Sequence, residues 1–257
     1  NGYGRAEGCG MLVLKRLSDA QRDGDPVLAV IRGTAVNHDG PSSGLTVPHG
    51  PAQVQVLSKA LGRSGIDPLD VSYIECHGTG TVLGDPIEVH AIEDVYCQGR
   101  TEERPLYLGA AKANVGHMEV AAGAASMVKM TLALHHKELP PQANYETPNP
   151  DLEIGGRLQV LTEPIAWSNA KRVAGISAFG LAGTNVHVVM EEAPAQPAPA
   201  SFDGPDRPAH VLMLSARAKS ALAELALRYE DRLDDADLAD VAFSAHTTRN
   251  RFEHRVA

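Results

Sequence analysis

The sequence predicts a layered α/β fold, and this prediction rests on three observations. The chain has 257 residues, enough for one large domain or two small ones. Stretches with the apolar pattern of strands alternate with stretches whose apolar residues recur at helical spacing, which is typical of layered α/β domains. Glycine is frequent, at 24 residues, and aromatic residues make up only 4%. Glycine-rich α/β enzymes place their sites in tight turns, so the composition also favours an enzyme.

The first 190 residues hold most of the predicted elements. Strands are predicted where apolar runs or alternating β-branched residues occur, at residues 10–17, 26–37, 71–75, 106–111, 173–177 and 185–190. Helices are predicted where apolar residues recur at helical spacing, at about residues 51–62, 86–95 and 120–136. Asp85 is the predicted N-cap of the second helix, because Pro86 and Glu88 follow it at favourable positions.

A linker and a small second unit follow. Residues 191–208 are rich in proline, alanine and acidic residues, which predicts a linker. After it come a predicted strand, two helices and the start of another strand, at residues 210–216, 218–233, 238–246 and 252–256. We expect a small α+β unit here, cut off at Ala257. The chain also lacks an initiator Met, so we expect a fragment of a longer protein.

Charge and composition exclude several classes of function. Lys and Arg number 23 against 32 Asp and Glu, a net charge of −9, which argues against a nucleic-acid partner. No stretch reaches the ~18 apolar residues of a membrane span, and no signal peptide opens the chain. The three cysteines show no CxxC spacing, so we expect neither disulfides nor a zinc ribbon and place the chain in a reducing cytoplasm. No HExxH or carboxylate–histidine pattern predicts a metal site.

Three polar, glycine-rich motifs follow predicted strands. They are ECHGTGT at residues 75–81, KANVGH at residues 112–117 and SAFGLAGTN at residues 177–185. Sites in α/β sheets form at the carboxyl ends of strands, where these motifs lie. Each also has a plainer interpretation. The first fits a glycine-rich turn, the second a capped helix with a solvated Lys112, and the third a hairpin turn.

Together the three motifs resemble those of a known family. ECHGTGT, KANVGHMEVAAG and ISAFGLAGTNVHV are similar to the HGTGT, KxNxGH and FGxxGTNxH motifs of beta-ketoacyl synthase domains, in the same order. The resemblance covers about residues 1–190, and residues 209–257 resemble the linker that joins ketosynthase to acyltransferase in modular type I polyketide synthases. It implies a thiolase-like fold, a five-layered α/β sandwich, of which this chain is the C-terminal half.

The resemblance implies catalytic roles for several residues. His77 and His117 match the two active-site histidines, which line the place where a malonyl-type carboxylate leaves. A neutral histidine that donates to a thioester carbonyl stabilises the enolate formed by CO2 loss. Lys112 matches the lysine that orders this polar cluster, and the backbone N–H of Leu181 matches an oxyanion-hole donor.

Further residues match positions that handle the substrate. The hydroxyls of Thr79 and Thr81 match a pair that hydrogen-bonds a phosphopantetheine arm. Phe179 and Leu181 lie on the loop that gates the acyl pocket, and Leu181 stands where some relatives have an aromatic residue. No cofactor is expected to bind directly, because the substrates arrive on the phosphopantetheine arm of an acyl carrier protein.

The family's nucleophile is absent from the chain. It is a cysteine in a TACSS-like elbow upstream of GYGR, and Cys9, Cys76 and Cys97 are interpreted as small buried hydrophobes instead. The expected partners are the N-terminal half of the ketosynthase, an acyl carrier protein, the adjacent acyltransferase domain and a second copy in a homodimer. The alternative is a degenerate or split, non-catalytic module that docks acyl carrier proteins.

Overall fold

The structure is a computed structural model, and it describes residues 2–41, 44, 46–147, 149–152, 154–195, 207, 209–233 and 236–257, with the side chain of Arg232 left out. The chain forms two compact units, Asn1–Gln196 and Pro197–Ala257. None of the described helices is long and apolar enough to span a membrane.

A six-stranded mixed sheet organises the first unit, in the order β1-β8-β7-β2-β3-β5. Its strands are β1 (Ala29–His38), β2 (Tyr73–Glu75), β3 (Leu106–Gly109), β5 (Leu158–Val160), β7 (Val173–Phe179) and β8 (Thr184–Glu192). A separate two-stranded sheet pairs β4 (Glu138–Leu139) with β6 (Ile165–Ala166). The helices are α1 (Leu17–Asp23), α2 (Gly50–Ser64), α3 (Gly84–Tyr96), α4 (Lys112–Val115) and α5 (Ala122–His136), with 3-10 turns at Pro68–Asp70 and Glu119–Ala121.

The strand directions bring the three motifs to one edge of the sheet. β2 lies parallel to both β7 and β3, so the carboxyl ends of these three strands point the same way. β8 returns antiparallel beside β7, and β1 pairs antiparallel with β8. The motif loops therefore leave the sheet side by side, although they are about 35 to 100 residues apart in sequence.

Each face of the sheet is covered by an apolar core. Helices α2 and α3 cover one face, where Val56, Leu57 and Ile92 are fully buried. Helix α5 packs on the other face with Met130, and Trp167 is buried beside it. Burial of each such side chain contributes roughly 1.5–3 kcal/mol, so both faces stabilise the sheet that positions the site.

Helix α2 packs directly on the backbone of β1. The register between β1 and β8 shifts between Ile31 and Gly33, which places Gly33 under the last turn of the helix. A Cβ atom at Gly33 would lie 2.7 Å from the backbone nitrogen of Ser64. Only glycine permits this close approach of the strand to the helix. The β-branched residues around Gly33 form a strand, as predicted.

The predicted strand at residues 10–17 is wrong. Residues 10–16 form no regular element, and helix α1 begins at Leu17. A strand needs a hydrogen-bonded neighbour, and none of the described strands pairs with this segment. Its apolar residues are consequently exposed, with Met11 at 91% and Val13 at 98%.

The second unit pairs two strands and adds two helices. Strand β9 (Leu214–Ala216) runs antiparallel to β10 (His254–Val256). Helix α6 (Lys219–Leu233) packs on β9, and Asp237 caps helix α7 (Leu238–Thr247) by accepting from the backbone of Ala239 at 2.8 Å. Of the linker proposed at residues 191–208, strand β8 includes the first two residues, and residues 196–206 and 208 lie outside the described part.

Candidate active site

The imidazole of His77 is held at the end of β2 as a neutral hydrogen-bond donor. Its Nδ1 accepts from the backbone N–H of Phe179 at 3.3 Å. A neutral imidazole that accepts at one nitrogen carries its proton on the other, so Nε2 bears the hydrogen. Burial, followed by the nearby Lys112 ammonium and the His117 ring, lowers the pKa of His77 to about 3. His77 is therefore uncharged at neutral pH.

His117 has the same tautomer for the same reason. Its Nδ1 accepts from the backbone N–H of Glu119 at 2.9 Å, which places its proton on Nε2. Partial burial and the Lys112 charge lower the pKa of His117, against the opposing effect of Glu119. The rings of His77 and His117 meet edge to face, with centroids 5.5 Å apart. The site thus presents two neutral imidazoles in contact.

The opening segment of the chain ties the two histidine loops together. The backbone N–H of Gly2 donates to the carbonyl of Gly80 at 2.6 Å, and that of His117 donates to the carbonyl of Gly4 at 2.8 Å. The Tyr3 ring lies 4.6 Å from the His117 ring. This contribution was missed from the sequence, because nothing local in GYGR indicates which loops it joins.

The two threonine hydroxyls face each other. Oγ1 of Thr79 lies 3.1 Å from Oγ1 of Thr81, and the backbone N–H of Gly84 donates to Thr81 at 3.2 Å. Asp85 is not the N-cap of α3, because the helix begins at Gly84. Its Oδ1 instead accepts from the backbone N–H of Gly80 at 3.1 Å and closes the loop. Both Thr79 and Asp85 line a cavity of about 380 Å³.

Glu88 anchors the His77 loop from helix α3. Its two carboxylate oxygens accept from the backbone N–H groups of His77 at 2.7 Å and Gly78 at 2.9 Å. Burial raises the pKa of Glu88 to about 7, against these two hydrogen bonds. Lys112, the first residue of α4, lines the same cavity, and burial lowers its pKa while Glu88 and Glu75 oppose the change. Lys112 is therefore a desolvated cation beside acidic groups.

The glycine-rich turn between β7 and β8 leaves two backbone donors available. Gly180 donates to the carbonyl of Thr184 at 2.7 Å, and Gly183 donates to the carbonyl of Gly180 at 2.8 Å. Among the described residues, the N–H groups of Leu181 and Ala182 have no intramolecular acceptor, and Leu181 is 75% exposed. The Phe179 ring lies 5.5 Å from the His77 ring. The available N–H groups therefore follow closely in sequence on Phe179, the residue that contacts His77.

The cysteines lack the surroundings of a nucleophile. Cys76 is buried with its sulfur 3.7 Å from the carbonyl oxygen of Ile74, and burial, with Glu88 and Glu75 nearby, raises its pKa well above the usual range. Burial also raises the pKa of Cys97. Cys9 is exposed, so its interpretation as a buried hydrophobe is wrong: it lies in the opening segment, which pairs with no described strand. Within the described ranges, no cluster of three or more His, Cys, Asp or Glu residues is arranged to hold a metal ion.

Comparison with known proteins decides the family. Residues 28–146 match the family model of the beta-ketoacyl synthase C-terminal domain, and residues 148–257 match that of the ketoacyl-synthetase C-terminal extension. This chain belongs to the beta-ketoacyl synthase family. The resemblance inferred from the three motifs is confirmed.

This chain is similar over nearly its whole length to segments of much longer synthases. Over 99% of this chain, erythronolide synthase EryA3 of Saccharopolyspora erythraea is 45% identical and mycoketide-CoA synthase of Mycobacterium tuberculosis is 46% identical. The chain spans only 8% and 6% of their lengths. It is thus the C-terminal part of a polyketide synthase ketosynthase domain, with its extension.

Solved ketosynthase structures share the fold. The ketosynthase from module 6 of the bacillaene synthase from Bacillus subtilis 168 matches with a TM-score of 0.79 and 35% identity, over 94% of this chain and 42% of that one. The oxazolomycin ketosynthase domain of Streptomyces albus JA3453 gives a TM-score of 0.81 and 38% identity, over 94% and 43% of the two chains. The predicted thiolase-like fold is confirmed.

Two acidic residues of the site were not predicted from the sequence. Glu75 ends the apolar strand VSYIE and is fully buried, and Glu88 is buried among apolar residues of α3. Carboxylates are almost never fully buried without partners. An acid placed on an apolar strand or helix face is the signal that would have indicated both.

Proposed function

We propose that this chain forms the decarboxylation side of a ketosynthase that condenses an acyl thioester with a carrier-bound malonyl-type extender. One observation carries the proposal: two neutral imidazoles in contact, each with its proton on Nε2. Neutral donors held in a desolvated site suit a reaction in which negative charge develops on a thioester oxygen.

In the proposed first step, the extender loses CO2. The bond between its α-carbon and its carboxylate carbon breaks, and the electron pair moves into an enolate whose negative charge resides on the thioester oxygen. Nε2–H groups of His77 and His117 donate to that oxygen. Because both rings stay neutral, they do not retain the departing carboxylate by charge attraction.

In the proposed second step, the enolate carbon attacks the acyl thioester. The acyl group is carried by a cysteine of the N-terminal half of the domain, and its carbonyl oxygen accepts from the available N–H of Leu181. The new carbon–carbon bond forms as the carbon–sulfur bond to that cysteine breaks and the thiolate leaves. This role for Leu181 is supported by its place on a tight turn beside His77.

The remaining site residues bind and order the substrate. Thr79 and Thr81 contact the phosphopantetheine arm, and the hydroxyl that accepts within the pair keeps its own hydrogen free to donate to the arm. Phe179 borders the acyl pocket. Lys112 orders the cluster by its charge, and after burial it is the second cause that lowers the pKa of each histidine.

The proposed partners follow from the family and from one surface. An apolar groove of about 690 Å³ runs along α5 and includes Val128 and Leu132, both partly exposed. We propose that the N-terminal half of the domain covers this groove. The acyl carrier protein, the acyltransferase domain and a second ketosynthase copy are the other proposed partners.

The complete ketosynthase domain that contains this chain provides the test. We expect His77→Ala and His117→Ala each to lower the rate of malonyl decarboxylation by ~10²–10³, the usual effect of removing one preorganised donor. Acylation of the upstream cysteine should change much less. His90→Ala, an exposed histidine on α3, is the matched control.

Two results would contradict the proposal. Near wild-type decarboxylation in both histidine variants would make His77 and His117 loop supports. A wild-type domain that binds acyl carrier protein without decarboxylating malonyl thioesters would favour the non-catalytic docking module instead.

A further inference from the structure

The segment between β3 and α4 presents Lys112 to the site but receives little support from the sheet. β3 pairs with β5 only from Leu106 to Leu108, and with β2 up to Gly109. Ala110 and Ala111 follow, and both are buried. A buried backbone N–H needs an acceptor, so these two residues need partners other than the backbone of a neighbouring strand.

Two side chains supply those acceptors. The amide oxygen of Gln142 accepts from the N–H of Ala110 at 2.7 Å, and its Nε2 donates to the carbonyl of Ala110 at 3.4 Å. Gln142 thereby makes the pair of contacts that a neighbouring strand would make. Glu75 Oε1 accepts from the N–H of Ala111 at 2.6 Å. Gln142 is itself fixed by its own N–H, which donates to the carbonyl of Leu161 at 2.8 Å.

Glu75 is held in place by two side chains of helix α5. Its Oε2 accepts from Lys129 of α5 at 2.6 Å, and its Oε1 lies 3.4 Å from the hydroxyl of Ser126. Lys129 also donates to the hydroxyl of Tyr73 at 3.0 Å. Charge-assisted hydrogen bonds are stronger than neutral ones, and Glu75 is 0% exposed. Glu75 therefore links the end of β2, two residues before His77, to α4 and α5.

Helix α4 cannot hold this geometry by itself. It has four residues, Lys112–Val115, and no side-chain hydrogen bond at its N-cap. A single helical turn is unstable in isolation, because the cost of nucleation exceeds what one hydrogen bond returns. The contacts at Ala110 and Ala111 therefore fix where α4 starts, and hence where Lys112 and His117 lie.

We propose that Gln142 and Glu75 are positioning residues, which hold Ala110 and Ala111 so that Lys112 and His117 face His77. The inference rests on the proposed ketosynthase function and adds two residues to it. Neither is a catalytic residue, because each acts through the backbone that it binds.

Gln142→Ala in the complete domain tests the role of the amide. Gln159→Ala is the matched control, because the side chain of Gln159, on β5, donates to the carbonyl of Gly156 at 3.0 Å and does not bind Ala110 or Ala111. We expect Gln142→Ala to speed hydrogen exchange at the Ala110 amide about tenfold and to lower kcat for malonyl decarboxylation about tenfold, with KM unchanged. Gln142→Glu keeps the acceptor and should restore amide protection. The Gln159→Ala control should change neither hydrogen exchange at the Ala110 amide nor kcat.

Two double variants test Glu75 without leaving a buried charge unpaired. Glu75→Gln with Lys129→Met keeps a neutral acceptor for the N–H of Ala111, whereas Glu75→Leu with Lys129→Met removes it. We expect the variant with Glu75→Gln to retain more decarboxylation activity, and slower hydrogen exchange at the Ala111 amide, than the variant with Glu75→Leu.

The outcomes separate this inference from the proposed function. Unchanged amide exchange in Gln142→Ala overturns the inference, as does faster exchange with unchanged kcat. If the wild-type domain does not decarboxylate, the proposed function fails. Amide exchange in the same variants then still decides whether Gln142 and Glu75 hold the segment.

Discussion

At the scale of single residues, the hydrogen bond at Nδ1 decides the chemistry of both histidines. A backbone N–H occupies Nδ1 of His77 and of His117, so Nε2 is left as the donor in each ring. The donor at His77 comes from Phe179, on a different strand, and the donor at His117 comes from its own loop. The tautomer of His77 therefore depends on how β7 and β2 are packed, whereas that of His117 is set within its own loop.

Buried neutral histidines make stability depend on pH. Burial lowers the pKa of His187 to about 3. Its Nε2 shares a hydrogen bond of 2.8 Å with the hydroxyl of Tyr96. The unfolded chain takes up a proton at that side chain below about pH 6.5, whereas the folded chain does not. Protonation of His187 therefore does not affect the free energy of unfolding above pH 6.5. Below that pH it favours the unfolded chain, so the free energy of unfolding decreases as the pH falls from 6.5 toward 3.

We therefore expect His187→Gln to flatten the dependence of unfolding free energy on pH between 4.5 and 6.5, by up to ~1.4 kcal/mol per pH unit. Denaturant titrations of the complete domain at several pH values measure this slope. The difference between variant and wild type above pH 7 gives the packing cost alone. Parallel slopes below pH 6.5 would contradict the neutral state of His187.

The threonine pair supports a prediction about binding. Thr79→Ala and Thr81→Ala each remove one hydroxyl of a pair that is proposed to contact the phosphopantetheine arm. We expect a higher apparent KM for the carrier-bound substrate and a smaller effect on kcat. Steady-state kinetics with acyl carrier protein substrates measure both. A fall in kcat with unchanged KM would place the hydroxyls at the reacting centre instead.

At the scale of elements, glycines set how closely the motif loops approach the sheet. Gly78 has a φ of +50°, and a Cβ there would lie 2.6 Å from the Cβ of Ala110. By contrast, Gly62 lies exposed in α2, and its added Cβ would meet no atom within 4 Å. The same substitution should therefore have opposite effects at the two positions.

We expect Gly78→Ala to destabilise the domain by ~1–3 kcal/mol, because it combines backbone strain with a steric clash. Gly62→Ala should stabilise it by ~0.5–1 kcal/mol, since alanine favours the helix and restricts the unfolded chain. Thermal or chemical denaturation compares the two variants. Equal changes in stability for the two variants would show that the space between Gly78 and Ala110 admits a Cβ atom.

The sequence predicts these elements to different degrees. β2, β3 and β7 have continuous apolar runs, so their positions and the motif loops that follow them were predictable. The short strands β4, β5 and β6 were not, because two or three residues carry too little periodic signal. Gln142 has no local signal at all, since its role depends on where β3 loses its neighbour. The apolar pattern at residues 10–17 indicated a strand, but pairing needs a partner that the described chain does not provide.

At the scale of the whole molecule, apolar surface remains uncovered. Met11, Val13 and Leu14 are exposed, and the groove along α5 adds further apolar area. Exposed patches beyond a few hundred Å² mark interaction sites or lead to association. We expect this 257-residue chain alone to associate or to melt without cooperativity. Light scattering and calorimetry measure this, and a monodisperse, cooperatively melting monomer would contradict it.

The missing nucleophile gives a second prediction at this scale. Burial raises the pKa of Cys76 and of Cys97, so both remain unreactive thiols at neutral pH. We expect no stoichiometric acyl adduct when the chain is incubated with an acyl thioester. Intact-mass spectrometry measures this, and an adduct on Cys9, Cys76 or Cys97 would contradict the assignment of the nucleophile to the N-terminal half.

The most direct test of the central claim is the protonation state of His77 and His117, the two histidines of the proposed active site. Proton–nitrogen NMR correlation in the complete domain, labelled with nitrogen-15 histidine, distinguishes Nδ1–H, Nε2–H and charged rings. His77→Gln and His117→Gln assign the signals. Near neutral pH, we expect both rings to be neutral with their protons on Nε2. A charged ring, or a proton on Nδ1 of either histidine, would contradict the proposal that both donate to the enolate oxygen.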